Sequence, residues 1–346
     1  MRTLLRTAVA AAAALALASP SGATAAEAPT PTPPAPAPAP AGGTLRLVMQ
    51  KVGGDPLFAL AGRQVVVRGI VSPYVAGQAV KVSFYLQGRK IAVQLLAVDA
   101  LGNGDGQFHA AITSHLSGLL EVRATHYATP QQGAFAARSA AVRIVNPKIG
   151  PGSSGQSVRL LQQELYNLRY AVPLSGVFDE GTGNALIAYR KMTGLDRVAL
   201  AGPAVFRMLS RGAGRFHVLY RRDGRHVEAD LTKQVLAEIE PGGRVYRIYT
   251  MSSGKPSTPT VIGHFLVYSK TPGVNSEGMV DSNYFIRGYA IHGYAEVPTY
   301  AASHGCLRVP IPDAASIYGW VRYGTPVDVY EESGGGSTRV RNNAGP

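Results

Sequence analysis

Between residues 44 and 146 the apolar and β-forming residues come in short runs at 65–71, 79–87, 91–100, 106–113, 119–127 and 136–145. Glycine-containing turns such as Gly102-Asn103-Gly104-Asp105-Gly106 separate most of them. Several short strands at this spacing predict an antiparallel β-sandwich. From 150 to 212 the period lengthens. Val158, Leu161, Leu165 and Leu168 recur at three- and four-residue steps, the stripe of an amphipathic helix, with Ser157 placed to cap it. A second stripe (Ala185, Ile187, Ala188, Met192) and a third short helix at 203–209 complete a small helical unit. From 215 to 331 the pattern is again that of strands. A hairpin is expected across Pro241-Gly242-Gly243, with further strands at 263–268 and 290–293. The chain therefore reads as multidomain and mainly β, with a small three-helix domain between two β-rich ones.

The ends carry other signals. Arg2 and Arg6 precede an apolar stretch at 8–18, and Ala23-Thr24-Ala25 offers small residues for cleavage, so 1–25 reads as an export signal. That stretch is too short for a bilayer-spanning helix, and an uncleaved anchor is the alternative. No later segment offers a run long enough to cross a membrane, so no stable span is expected after cleavage. Residues 26–43 are almost all Ala, Pro and Thr, which favours an extended linker, and 332–346 reads as a flexible tail. The formal charge is +13, and it stays strongly positive without Arg2 and Arg6. Such a field favours anionic partners. Export argues against nucleic acid and for wall polymers.

Candidate chemistry centres on one residue. Cys306 is the only cysteine, so it cannot form an intramolecular disulfide or build a thiolate metal site alone. It lies in Ser303-His304-Gly305-Cys306-Leu307-Arg308. A thiol needs a base or a nearby positive charge to act as a nucleophile, and His304, two residues away, can supply both. Gly305 removes bulk where a substrate carbonyl must approach, and the Gly305 and Cys306 N–H groups can point at an oxyanion. Arg308 adds positive charge for a carboxylate or that oxyanion, and His292 offers a second imidazole. A metal held by His292, His304 and Cys306 is chemically allowed, but no carboxylate ligand stands at motif spacing, so neither metal nor cofactor is expected. Calcium at Asp99, Asn103 and Asp105 competes with a simpler hairpin turn.

Three resemblances sharpen this. The 44–146 region resembles Ig-like wall-spacer domains in a generic way. Ser157-Val158-Arg159-Leu160-Leu161-Gln162-Gln163-Glu164-Leu165, with Gly176-Val177-Phe178-Asp179 and Thr182, resembles the peptidoglycan-binding domain 1 family. That family usually has Phe-Gln where this chain has Tyr189-Arg190. Finally, His292-Gly293 followed by Ser303 to Arg308 resembles the YkuD-type L,D-transpeptidase catalytic domain. Asp230 to Gln234, Ser253-Gly254-Lys255 and Thr258-Pro259-Thr260 with Gly263 and Phe265 are similar to its other segments. The resemblance implies a predominantly β fold and a secreted enzyme of the bacterial cell wall or periplasm. By it Cys306 attacks a peptidoglycan stem tetrapeptide next to its terminal D-alanine. His304 moves the proton, and a diamino-acid amine captures the thioester to give a 3→3 cross-link. It also implies that the histidine is oriented by a backbone carbonyl, and that His292, Gly305, Arg308 and Ser303 meet substrate or oxyanion. Stem peptides and glycan are the expected partners. The rival readings are an L,D-carboxypeptidase that lets water capture the thioester, and an inactive wall-binding protein.

Overall fold

The computed structural model describes residues 40–331. The expected signal, most of the linker and the tail lie outside the described residues.

The first strands are β1 (Thr44–Gln50), β2 (Phe58–Leu60), β3 (Gln64–Ser72), β4 (Ala79–Leu86) and β5 (Arg89–Ala97). They continue as β6 (Asp99–Ala100), β7 (Gly106–Thr113), β8 (Gly118–His126), β9 (Phe135–Arg138) and β10 (Val142–Val145). One sheet runs β1-β3-β7-β6 and the other β2-β10-β8-β4-β5, with β9 on β8. Val67 and Phe108 from the first share a core with Phe84, Leu120 and Val122 from the second, which makes a sandwich. The pairing is antiparallel except between β10 and β2. The run 91–100, read as one strand, breaks at the buried Val98. The chain crosses there from one sheet to the other, so alternation alone cannot reveal the break. In the neighbouring turn Asn103 Nδ2 donates to Asp105 Oδ2 (3.1 Å) and Asp105 N–H to Asn103 Oδ1 (3.2 Å), the contacts of a self-closed turn.

Three helices follow: α1 (Gln156–Asn167), α2 (Glu180–Met192) and α3 (Pro203–Leu209). Ser157 does not cap α1. The cap is Gly155, at φ 93°, and the Ser157 hydroxyl instead accepts the Asn146 N–H at 3.0 Å, tying the sandwich exit to the helix. Asp179 caps α2 by accepting the Thr182 N–H at 2.8 Å. Leu161, Leu165, Leu186 and Phe206 share one continuous core with Val235, Ala237, Ile239 and Ile248 of the following sheet.

That last region comprises β11 (His226–Asp230), β12 (Val235–Glu240), β13 (Arg244–Thr250), β14 (Gly263–Leu266) and β15 (Ser269–Val274). After them come β16 (Val280–Ile286), β17 (Tyr289–Tyr294), β18 (Leu307–Pro310), α4 (Ile311–Trp320) and β19 (Pro326–Tyr330). Five strands run β13-β12-β11-β19-β14 and four run β15-β16-β17-β18. Phe265, Val327 and Val329 meet Phe285, Ile291, Leu307 and the α4 residue Ile317 between the sheets. The expected strand at 263–268 is shorter, ending as β14 at Leu266; Val267 and Tyr268 then lead into β15, which belongs to the other sheet. No helix among the described residues is long and apolar enough to cross a membrane.

Candidate active site

Strands β17 and β18 run parallel with His292 opposite Arg308 and Ile291 opposite Leu307. Side chains alternate along a strand, so Ile291, Leu307 and Val309 enter the core while His292, Tyr294 and Arg308 share the other face. Cys306, just before β18, lies on that face too. These residues line a cavity of about 400 Å³ with Ser303 and His304, and Glu277, Met279 and Gly288 reach it from β15–β17 and their turns.

The turn carrying the thiol is built from its own polar groups. The buried Ser303 hydroxyl donates to the Cys306 carbonyl (2.6 Å) and accepts the Gly305 N–H (3.0 Å). Two outside threonines hold it: Thr258 Oγ1 donates to the Ser303 carbonyl (3.1 Å) and Thr260 Oγ1 to the Gly305 carbonyl (2.8 Å). Gly305 adopts φ 122°, and a Cβ there would stand 1.7 Å from Tyr289 Cε1. At rest the Gly305 N–H is engaged by Ser303, and the Ser303 hydroxyl closes the turn while the residue lines the cavity.

The two histidines differ sharply. His292 is buried, with Nδ1 2.9 Å from the Gly293 carbonyl. A carbonyl only accepts, so Nδ1 carries the proton and Nε2 keeps a lone pair. Burial holds this imidazole below the ordinary histidine value, opposed by the Gly293 carbonyl and reinforced by Arg308. His304 is exposed, and its Nε2 lies 3.3 Å from the Lys255 ammonium. An ammonium can only donate, so it occupies the lone pair that His304 would need as a base.

Burial pushes the Cys306 thiol up, against smaller opposing pulls from the Ala290 backbone and the Arg308 guanidinium, while Glu277 adds slightly to the rise. Cys306 Sγ is 3.6 Å from the Gly288 carbonyl, a suitable acceptor for a protonated thiol. Arg308 lies over the Tyr294 ring at 3.9 Å from its centroid. Burial thus favours the uncharged forms of both the Cys306 thiol and the His292 imidazole, which line the same cavity as Arg308. Glu277, Met279 and Tyr294 escaped the sequence reading. Tyr294 was within reach of it, two residues after His292 on the same strand face, whereas the other two come from a distant hairpin with no motif.

A thiol and imidazoles lining one cavity are the equipment of an enzyme that works through a cysteine nucleophile. Residues 224–329 match the YkuD L,D-transpeptidase catalytic domain. A crystal structure of an L,D-transpeptidase from Xylanimonas cellulosilytica is 34% identical, with a TM-score of 0.50, covering 54% of this chain and 98% of that one. One from Stackebrandtia nassauensis is 21% identical, with a TM-score of 0.35 and coverage of 53% and 94%. No curated protein matches the chain. The chain belongs to the L,D-transpeptidase family, and is accordingly an acyltransferase of peptidoglycan.

Proposed function

We propose that the protein is an exported transpeptidase that forms 3→3 cross-links through a thioester on Cys306, with His292 rather than His304 as the proton acceptor. The observation that carries the assignment is the hydrogen bond from His292 Nδ1 to the Gly293 carbonyl. It is the backbone-carbonyl orientation that the family resemblance implies, and it leaves Nε2 free to take a proton. The lone pair of His304 faces a lysine instead.

The first step is attack of Sγ on the carbonyl at the L-centre of a stem tetrapeptide, as His292 Nε2 takes the thiol proton. Arg308 supplies fixed positive charge beside the developing anion. Collapse breaks the amide bond, and the imidazolium returns its proton to the departing D-alanine amine. A diamino-acid amine from a neighbouring stem then attacks the thioester. His292 removes its proton and hands it to the leaving sulfur. The thioester conserves the energy of the original amide, which suits a compartment without ATP.

Mass spectrometry of the purified chain with a stem tetrapeptide tests this directly. Cys306→Ala should form no acyl adduct, and a carbapenem should label the same thiol only when it is present. His292→Ala should slow acylation by roughly 10²–10⁴-fold, the usual worth of a general base, and His304→Ala far less. The reverse ranking would return the role to His304. An amine-dependent cross-linked dimer supports transpeptidation, whereas free tripeptide whatever the acceptor would mark a carboxypeptidase.

The helical residues 150–212 carry the peptidoglycan-binding resemblance and are the segment we assign to wall glycan. Soluble glycan strands should slow hydrogen exchange in α1–α3 of the full chain. Unchanged exchange at saturating glycan would remove that role.

A further inference from the structure

A second cluster of reactive side chains lies on the five-stranded sheet, on the face turned away from the core beneath Cys306. His264 of β14 stands directly opposite Asp328 of β19, and Asp328 is in turn opposite Glu228 of β11. Their neighbours Phe265, Val327, Val329, Val227 and Ala229 point into the catalytic core, so the three polar side chains stand abreast on the reverse face. Asp223, from the turn before β11, brings Oδ2 to 3.4 Å from His264 Nδ1, and the same nitrogen contacts Asp328 Oδ1. One potential ligand atom from each of Asp223, His264 and Asp328 lies within 4.8 Å of the others.

Hydrogen bonding leaves this cluster incomplete. One ring nitrogen carries at most one proton, yet two carboxylates converge on it. Asp328 is only 1% exposed, and its Oδ2, like Oδ2 of Asp223, is buried without a hydrogen-bond donor. The adjacent groups do not make up the deficit. His226 engages both ring nitrogens elsewhere, Nδ1 with the Gly224 carbonyl (2.9 Å) and Nε2 with Glu228 (3.2 Å). Glu228 is fully supplied, accepting the Leu219 and Tyr220 N–H groups and the Tyr330 hydroxyl. Buried carboxylate oxygens without donors are costly, so the contrast with Glu228 asks for another positive partner.

We propose that Asp223, His264 and Asp328 bind one divalent cation of the zinc class. Imidazole nitrogen and carboxylate oxygen are both ligands that zinc accepts, and water would complete the four. Ligands about 2.1 Å from zinc in a tetrahedron stand roughly 3.4 Å apart, in keeping with the Asp223–His264 separation. The side chains of His264 and Asp223 are 22% and 20% exposed, which gives the ion an entry path. A bound cation would staple the 221–224 turn to β14 and β19. It lies on the other side of the sheet from the thiol, so its part is to hold the scaffold.

The test is zinc titration of the full chain by calorimetry, with metal content after dialysis and melting with zinc or chelator. A Cys306→Ser background removes the competing thiol. One equivalent should bind in both wild type and Cys306→Ser and raise the melting temperature of each. His264→Gln and Asp223→Asn should weaken binding at least tenfold and abolish the zinc-dependent rise, while melting near wild type in chelator. Manganese in parallel tests the class and should bind more weakly. Absence of stoichiometric zinc overturns the proposal, as does tighter binding of manganese. So does binding that disappears with Cys306→Ser but survives His264→Gln. A protonic Asp–His–Asp triad predicts melting temperatures indifferent to zinc, with His264→Gln destabilising equally in chelator, and that result also overturns it.

Discussion

At Gly305 the backbone, a neighbouring ring and the nucleophile meet. The left-handed φ and the Tyr289 edge both exclude a side chain, so the turn that presents Cys306 can be made only with glycine. The sequence motif exposed that requirement because its residues are contiguous. It did not separate the two histidines. Both candidates are written His-Gly, and they differ in what each ring bonds: a carbonyl for His292 and an ammonium for His304. This distinction changes the expected chemistry of the thiol. Proximity to His304 predicts a thiolate that persists into mild acid, whereas burial pushes the Cys306 thiol up. Iodoacetamide alkylation, which reports this one cysteine, should therefore rise with pH with a midpoint no lower than that of an ordinary thiol. His304→Ala should leave the profile in place. A wild-type midpoint in the acid range that moves upward on His304→Ala would refute the neutral-pair reading.

At the scale of elements, α2 does more than its amphipathic stripe suggested. Lys191, near its end, is buried and donates to the Gln234 carbonyl (2.9 Å), Thr250 Oγ1 (2.7 Å) and the Met251 carbonyl (2.8 Å). Gln234 exchanges hydrogen bonds with Ser253, whose carbonyl accepts the N–H groups of Ala302 and Ser303. Arg197, beyond the helix, donates to the Thr299 carbonyl in the same loop. A polar relay thus runs from the helical unit to the turn around Cys306. Lys191→Met should destabilise the chain by about 2–4 kcal/mol, since it strands buried acceptors, and it should lower acylation as well. Calorimetry with pre-steady-state acylation checks both, and an unchanged acylation rate in a folded variant would disconnect the relay from the site. The helices themselves were legible from their 3.6-residue period. The relay was not, because a lysine that crosses an interface looks in sequence like any solvated one. Helix α4 was also missed; it packs on β16–β18, and its residues show little of the amphipathic contrast that marks α1.

Across the whole molecule, the sandwich and the helices meet at Glu164, whose carboxylate accepts the Asp55 N–H at 3.0 Å. Burial raises this carboxyl to about 7, against the pull of that N–H and of Arg143. In an unfolded chain it would titrate near about 4.3. Between these values the folded state binds more protons, so the contribution to stability is full below the unfolded value and is lost as pH rises through about 7. Glu164→Gln keeps an acceptor without the charge. It should melt a few degrees above wild type at pH 8, with the gap narrowing towards pH 5; a gap that is constant with pH would exclude the carboxyl as its source.

The single core joining α1–α3 to β12 and β13 has a mechanical consequence. A flexible hinge between an anchor and a working head absorbs tension, because the linker straightens first. Here the helices and the sheet have no such slack. A load applied at the helices passes through Lys191 and Arg197 to Ser253 and the loop around Thr299, and so to the strand edge that positions the nucleophile. A pull on the helices would strain the thiol's own support, which makes this unit a stiff lever rather than a head on a string.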